Sequence, residues 1–113
     1  MDRLDEAEYE RRAHSELLAL RDALDELDTE SVEAELESGI LTVEFLDGTR
    51  FVINSHRAAR QIWMAAGHSA WHFDWVKESR TWRATKTADE LWATLSAAIS
   101  EQLGRPVQLR PVG

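Results

Sequence analysis

The chain is 113 residues long, which allows one hydrophobic core but not two, and its 43% hydrophobic content with five tryptophans excludes an intrinsically disordered protein. Its net charge of −8 is uneven, because residues 1–48 hold 16 acids and 4 bases whereas residues 49–113 hold 5 acids and 9 bases. The acidic half disfavours nucleic acid and anionic membranes and favours cations and basic proteins, and the lack of cysteine excludes disulfides, thiol catalysis and thiolate metal sites.

The first predicted element is an amphipathic helix over residues 5–27. Its apolar residues recur at the spacing of one helical face. That face consists of Tyr9, Ala13, Leu17, Leu20, Leu24 and Leu27. Asp22 and Glu26 are four residues apart and lie opposite it, with Asp25 beside them. The end of the helix is therefore predicted to present carboxylates to solvent.

A three-strand meander follows the helix, with strands predicted over residues 32–37, 40–46 and 49–54. Apolar and polar residues alternate in each, as is typical of a sheet with one buried face. Ser38-Gly39 and Asp47-Gly48 are hairpin turns, because glycine tolerates positive φ.

Three further short strands are predicted over residues 61–65, 71–75 and 81–85. A second helix follows, because Thr87 and Glu90 have the spacing of a capping box. The apolar face of this helix extends to Leu103, where Gly104 and Pro106 stop it. We expect the tail at residues 107–109 to lie against a helix.

These elements predict an α+β fold, a two-layer sandwich with two helices packed on one face of an antiparallel sheet of about six strands. The order is helix, six strands, helix, in a single domain over residues 1–113. The other face of the sheet is left to solvent or a partner. Because no signal peptide and no membrane span are recognisable, we expect a cytoplasmic protein.

Carboxylates gather where the first helix ends and the first strand begins, and we name this set the acidic ridge. It comprises Asp22, Asp25, Glu26, Asp28, Glu30, Glu33 and Glu35. Carboxylate oxygens suit hard cations such as iron, and an open site of this kind predicts weak, rapidly exchanging binding with little discrimination among divalent metals. A solvated charged face is the alternative interpretation of the same residues.

A second candidate surface surrounds Trp63. If Ile62 and Phe73 face the helices, then Trp63 and His72 lie on the bare face of the sheet. An exposed tryptophan among polar residues is a candidate hot spot for protein binding. Structural packing of the indole over its strand neighbours is the alternative.

No catalytic arrangement is evident in the sequence. The four histidines have no HxH spacing, and His68 and His72, which are four residues apart, fall in a predicted turn and a predicted strand and not on one helix. No serine–histidine pair or glycine-rich phosphate loop is recognisable. The carboxylates are not paired in an evident apolar pocket, which acid–base catalysis would need. The residues alone therefore give no support to an enzyme.

Five features occur in a fixed order: the acidic helix end, GILTVEFLDGTRFVIN at residues 39–54, QIWMA at 61–65, HFDW at 72–75, and Trp82. In this order and spacing, over residues 9–109, the chain resembles the frataxin family in its bacterial form. It departs from the family pattern at Arg21, where an acid is common, and at Ala58, near the place of a usual proline.

The resemblance implies an iron-binding accessory protein of iron–sulfur cluster assembly, which donates or senses iron and modulates the cysteine desulfurase–scaffold complex. It implies that the acidic ridge binds Fe2+ or Fe3+ weakly and docks to the desulfurase. The scaffold protein would meet a sheet surface formed by Asn54, Gln61, Trp63 and His72.

Two other functions are compatible with the same sequence. One is an acidic protein-interaction module that regulates the desulfurase with incidental metal binding, and the other is a weak ferroxidase. In each case we expect a bacterial cytoplasmic monomer, with iron-dependent oligomers as an alternative. Nucleic acid and membranes are not expected partners.

Overall fold

A computed structural model describes residues 4–27 and 30–112. Its elements are α1 (Glu6–Asp25), β1 (Val32–Glu37), β2 (Ile40–Phe45), β3 (Arg50–His56), a short 3-10 helix (Arg57–Ala59), β4 (Gln61–Ala66), β5 (Ser69–Val76), β6 (Thr81–Ala84) and α2 (Leu91–Leu103). The strands form one antiparallel sheet in the spatial order β1-β2-β3-β4-β5-β6. The predicted α+β sandwich is therefore confirmed. In the described part of the chain, neither helix has the length and apolarity that a membrane crossing requires.

The core lies between the two helices and one face of the sheet. α1 buries Leu17 and Leu20 completely, and α2 does the same with Leu91 and Leu95. The sheet meets them with alternate residues, and the fully buried ones include Leu41, Val43, Ile53, Ile62, Phe73 and Trp82. Burial of such a side chain stabilises a fold by about 1.5–3 kcal/mol. This layer therefore fixes which residues of each strand point outward.

Two strands are longer than the sequence predicts, because pairing continues into residues expected in loops. β3 runs two residues beyond the predicted end, and its last residue, His56, pairs with Gln61 of β4. β5 begins two residues early, at Ser69, which pairs with Ala66. The ends of α1, β2 and β6 lie within two residues of the predicted positions.

The predicted capping box of the second helix is wrong. α2 begins at Leu91, and its N-cap is Glu90, whose carboxylate accepts hydrogen bonds from the backbone N–H groups of Trp92 and Ala93. The Thr87 hydroxyl donates instead to Asp89. Residues 85–87 before the helix form a turn and Ala88 has a φ of +64°, while Ala84 N donates to Asp89 O at 2.8 Å. This turn, with the pairing of Glu90 and Arg83 of β6, therefore delays the helix start.

The C-terminal tail packs on α2, as predicted. Leu109 is buried, and its backbone N–H donates to Ser96 Oγ at 2.9 Å. Val107 N donates to Ser100 Oγ at 2.8 Å. Two serines on one face of α2 therefore anchor the backbone of the tail.

Candidate cation ridge and sheet-face surface

The acidic ridge is divided between the two sides of the sheet edge. Asp22, Asp25 and Glu26 are exposed at the end of α1, which packs on the inner face of the sheet. In β1, Val32 is buried against the helices, so Glu33 and Glu35 are exposed on the outer face. The ridge therefore curves around β1, the edge strand. Glu30 is exposed and has a partner, and Asp28 lies outside the described residues.

Most of the described ridge carboxylates keep their charge uncompensated. Asp22 forms an ion pair with its neighbour Arg21, in which Arg21 Nη2 lies 3.1 Å from Asp22 Oδ1. Among residues 4–27 and 30–112, no ion pair involves Asp25, Glu26, Glu33 or Glu35. Because like charges close together repel, this arrangement favours the approach of cations and basic surfaces.

Glu44 extends the ridge across the outer face and was not among the predicted residues. It lies directly opposite Glu33 in the β1–β2 register, and it accepts from Arg50 Nε at 3.4 Å. These side chains, with Glu35 and Thr42, line a shallow cavity of about 390 Å³. The alternation of β2 was sufficient to predict that Glu44 points outward, because Leu41, Val43 and Phe45 are buried on the inner face and Glu44 lies between two of them.

The donor chemistry of the ridge suits a hard cation, since carboxylate oxygens are ligands that iron accepts. However, no three His, Asp or Glu side chains converge into a ligand group anywhere in the described ranges. A cation at the ridge would therefore be held by few protein oxygens, and water would complete its coordination. Such an arrangement favours weak and rapidly exchanging binding.

The four residues of the predicted sheet surface lie together on the outer face. Trp63 lies between Asn54 of β3 and His72 of β5 in the strand register. Trp63 Nε1 donates to Gln61 Oε1 at 2.7 Å. The indole is half-buried, so its packing over strand neighbours and its partial exposure occur together.

His56 belongs to this surface, although the sequence prediction did not include it. Its ring stacks on Trp63, with centroids 3.7 Å apart and planes inclined by 12°. His72 stacks on the opposite side, at 4.2 Å and 11°. Extending the alternation of β3 two residues past Asn54 would have placed His56 on the same face.

Three comparisons with known proteins agree with each other. A family model described as a frataxin-like domain matches residues 2–105. A protein of Paraburkholderia phymatum named iron-sulfur cluster assembly protein CyaY is 34% identical over 108 residues, covering 96% of this chain and 100% of the relative. A protein of the same name from Dechloromonas aromatica is 32% identical over 107 residues, covering 95% and 100%. The solved structure of a frataxin from Psychromonas ingrahamii matches with a TM-score of 0.83 at 25% identity, covering 93% of this chain and 97% of that one.

Proposed function

The chain belongs to the frataxin-like family, and on that premise we propose that it is an iron-binding accessory protein of iron–sulfur cluster assembly. It donates or senses iron and modulates the complex of cysteine desulfurase and scaffold protein. The names of its relatives support the assembly role. Iron, in this proposal, is weakly held cargo.

The observation that carries this proposal is the row of uncompensated carboxylates around the β1 edge. Asp25, Glu26, Glu33 and Glu35 are exposed and make no ion pair among the described residues. Like charges on one helix face or strand face destabilise a fold by about 0.2–0.5 kcal/mol per pair. A surface that keeps such repulsion is suited to an external cation or a basic partner.

The ridge and the sheet surface are close enough for one complex to contact both. Three strand spacings of about 4.8 Å separate β1 from β4, and Glu35 lies two residues along the strands from the level of Trp63, so these two residues are about 16 Å apart on the outer face. We propose that the desulfurase docks at the ridge and that the scaffold protein meets Trp63 and its neighbours. Attraction between the ridge and a basic surface speeds association and weakens with salt.

An anaerobic Fe(II) titration followed by NMR tests the iron assignment. We expect shift changes and line broadening around residues 22–26 and 33–35 in the wild type. The variant Asp25→Lys/Glu26→Lys/Glu33→Lys/Glu35→Lys should lose both the iron response and desulfurase binding. A response confined to other residues, or one retained in the variant, would contradict the proposal.

A matched control separates the local site from the total charge. Glu6→Lys/Glu78→Lys changes two exposed carboxylates away from the ridge, at the start of α1 and in the turn between β5 and β6, and Asp25→Lys/Glu26→Lys changes two on it. Both double variants alter the net charge equally. Only the second should weaken iron binding, because the site depends on local oxygens.

The lack of a converging ligand group in the described residues favours one alternative, an acidic interaction module with incidental metal binding. Desulfurase binding that persists in the presence of a chelator, without saturable Fe(II) binding, would support this module. Fe(II) oxidation faster than in buffer alone would instead support the ferroxidase alternative.

A further inference from the structure

We propose that His56 and His72 are positioning residues that hold Trp63 as the middle ring of a rigid three-ring stack, which the scaffold protein recognises through the exposed indole edge. This inference rests on the proposed function, because it assigns a structural basis to the scaffold-binding surface. It adds His56, which lies outside the four residues predicted for that surface.

Both faces of the indole are covered by parallel rings. His56 is the last residue of β3, and its ring centroid lies 3.7 Å from that of Trp63. His72, opposite Trp63 in β5, lies 4.2 Å away on the other side. A side chain from a partner therefore cannot stack on Trp63 without displacing an imidazole.

A hydrogen-bond chain fixes the indole in its own plane. Trp63 Nε1 donates to Gln61 Oε1 at 2.7 Å, and Gln61 Nε2 donates to Asp74 Oδ1 at 3.1 Å. The indole N–H is therefore already used. What remains for a partner is the carbon edge of the ring, which suits apolar groups and carbonyl oxygens.

The stack is separate from the core that holds the strands together. The inner face of the same three strands is fixed by the fully buried Ile53, Ile62 and Phe73. Within the described residues, His56 Nδ1 is enclosed without a hydrogen-bond partner. The His56 ring is thus held by stacking and not by a bond at that nitrogen.

An anchor that is ordered before binding avoids the entropic cost of ordering it in the complex, which for one large side chain corresponds to about a two- to tenfold change in affinity. We therefore expect His56→Ala and His72→Ala each to weaken scaffold binding by about that factor, with Trp63 unchanged in sequence. His56→Phe and His72→Phe should restore binding, because they keep a stacking ring without imidazole nitrogens.

The experiment measures binding of these variants to the scaffold protein of the same organism by calorimetry. The ¹H–¹⁵N nuclear Overhauser effect of Trp63 Nε1 reports independently on the order of the indole. It should fall in both alanine variants and recover in both phenylalanine variants. His14→Ala and His68→Ala, at exposed histidines outside the stack, are matched controls and should change neither readout.

The outcomes separate this inference from the proposed function. If Trp63→Ala abolishes binding while His56→Ala and His72→Ala bind like the wild type, the stack is overturned and the scaffold surface stands. If the wild type does not bind the scaffold at all, both fail. If an alanine variant unfolds, threonine, which strands accommodate well, replaces it and the same criteria apply.

Discussion

Arg21 donates to the carboxylate of the next residue, Asp22, through both Nε and Nη2, at 3.3 and 3.1 Å. It is the one basic side chain that forms an ion pair with a described ridge carboxylate of α1. Arg21 therefore reduces the negative charge of the ridge near the end of α1.

We expect Arg21→Gln to strengthen Fe(II) binding by about two- to fivefold. An exposed ion pair of this kind contributes about 0–1 kcal/mol, and its removal returns the Asp22 oxygens to the ridge. Competition against a fluorescent chelator measures the change. Arg110→Gln, on the exposed tail, removes the same charge elsewhere and should have a smaller effect. Equal gains in both variants would mean that Asp22 does not contact the cation.

The alternating and helical patterns of the sequence were sufficient to predict the layers of the fold. Val32 and Leu41, for example, occupy the buried parity of their strands, and that parity also directs Glu33 outward. The side-chain contacts of the ridge could not be predicted in the same way. Whether the carboxylates at the end of α1 lie beside those on the outer face of β1 depends on where the helix packs on the sheet.

The start of α2 and the three-ring stack were missed for a different reason. Thr87 and Glu90 match a local capping pattern, but residues 85–87 form a turn, Ala88 has a φ of +64°, and Glu90 pairs with Arg83 of β6, so the helix cannot begin at Thr87. His56 was placed in a loop because strand length depends on pairing with β4. In both cases pairing with a neighbouring strand overrode the pattern of the residues themselves.

The observed cap gives a direct test of the start of α2. Glu90→Ala removes the acceptor of two backbone N–H groups, and we expect it to lower the free energy of unfolding by about 1 kcal/mol. Thr87→Ala should change it by less than about 0.5 kcal/mol, since its hydroxyl bonds only with Asp89. Urea denaturation measures both. A larger effect at Thr87 would restore the predicted capping box.

Gly39, in the turn between β1 and β2, is restricted by both conformation and space. Its φ is +79°, and a Cβ there would lie 2.7 Å from Ser55 Oγ. We expect Gly39→Ala to destabilise the fold by about 2–3 kcal/mol, as the sum of backbone strain and the close contact.

Gly67 is the matched control, because its φ is also positive, at +61°, but its Cβ would meet no atom within 4 Å. Gly67→Ala should therefore cost only about 1–2 kcal/mol. Adding Ser55→Ala to Gly39→Ala should recover part of the loss. Equal losses of stability at the two glycines, measured by urea denaturation, would show that the Ser55 side chain moves away from the new methyl group at no cost in free energy.

Glu16 of α1 predicts a pH dependence of stability. Burial raises the pKa of its carboxyl above the ordinary 4.5, an effect that the hydrogen bond from Trp92 Nε1 opposes and the nearby Glu90 increases. The folded state therefore holds the proton to higher pH than the unfolded state, and stability decreases as pH rises from about 4.5 through the raised pKa.

Glu16→Gln removes this titration and keeps an oxygen that can accept the Trp92 N–H. We expect its Tm, relative to the wild type, to be higher at pH 7 than at pH 4. A Glu16→Gln difference that does not vary with pH would mean that this carboxyl titrates alike in the folded and unfolded chains.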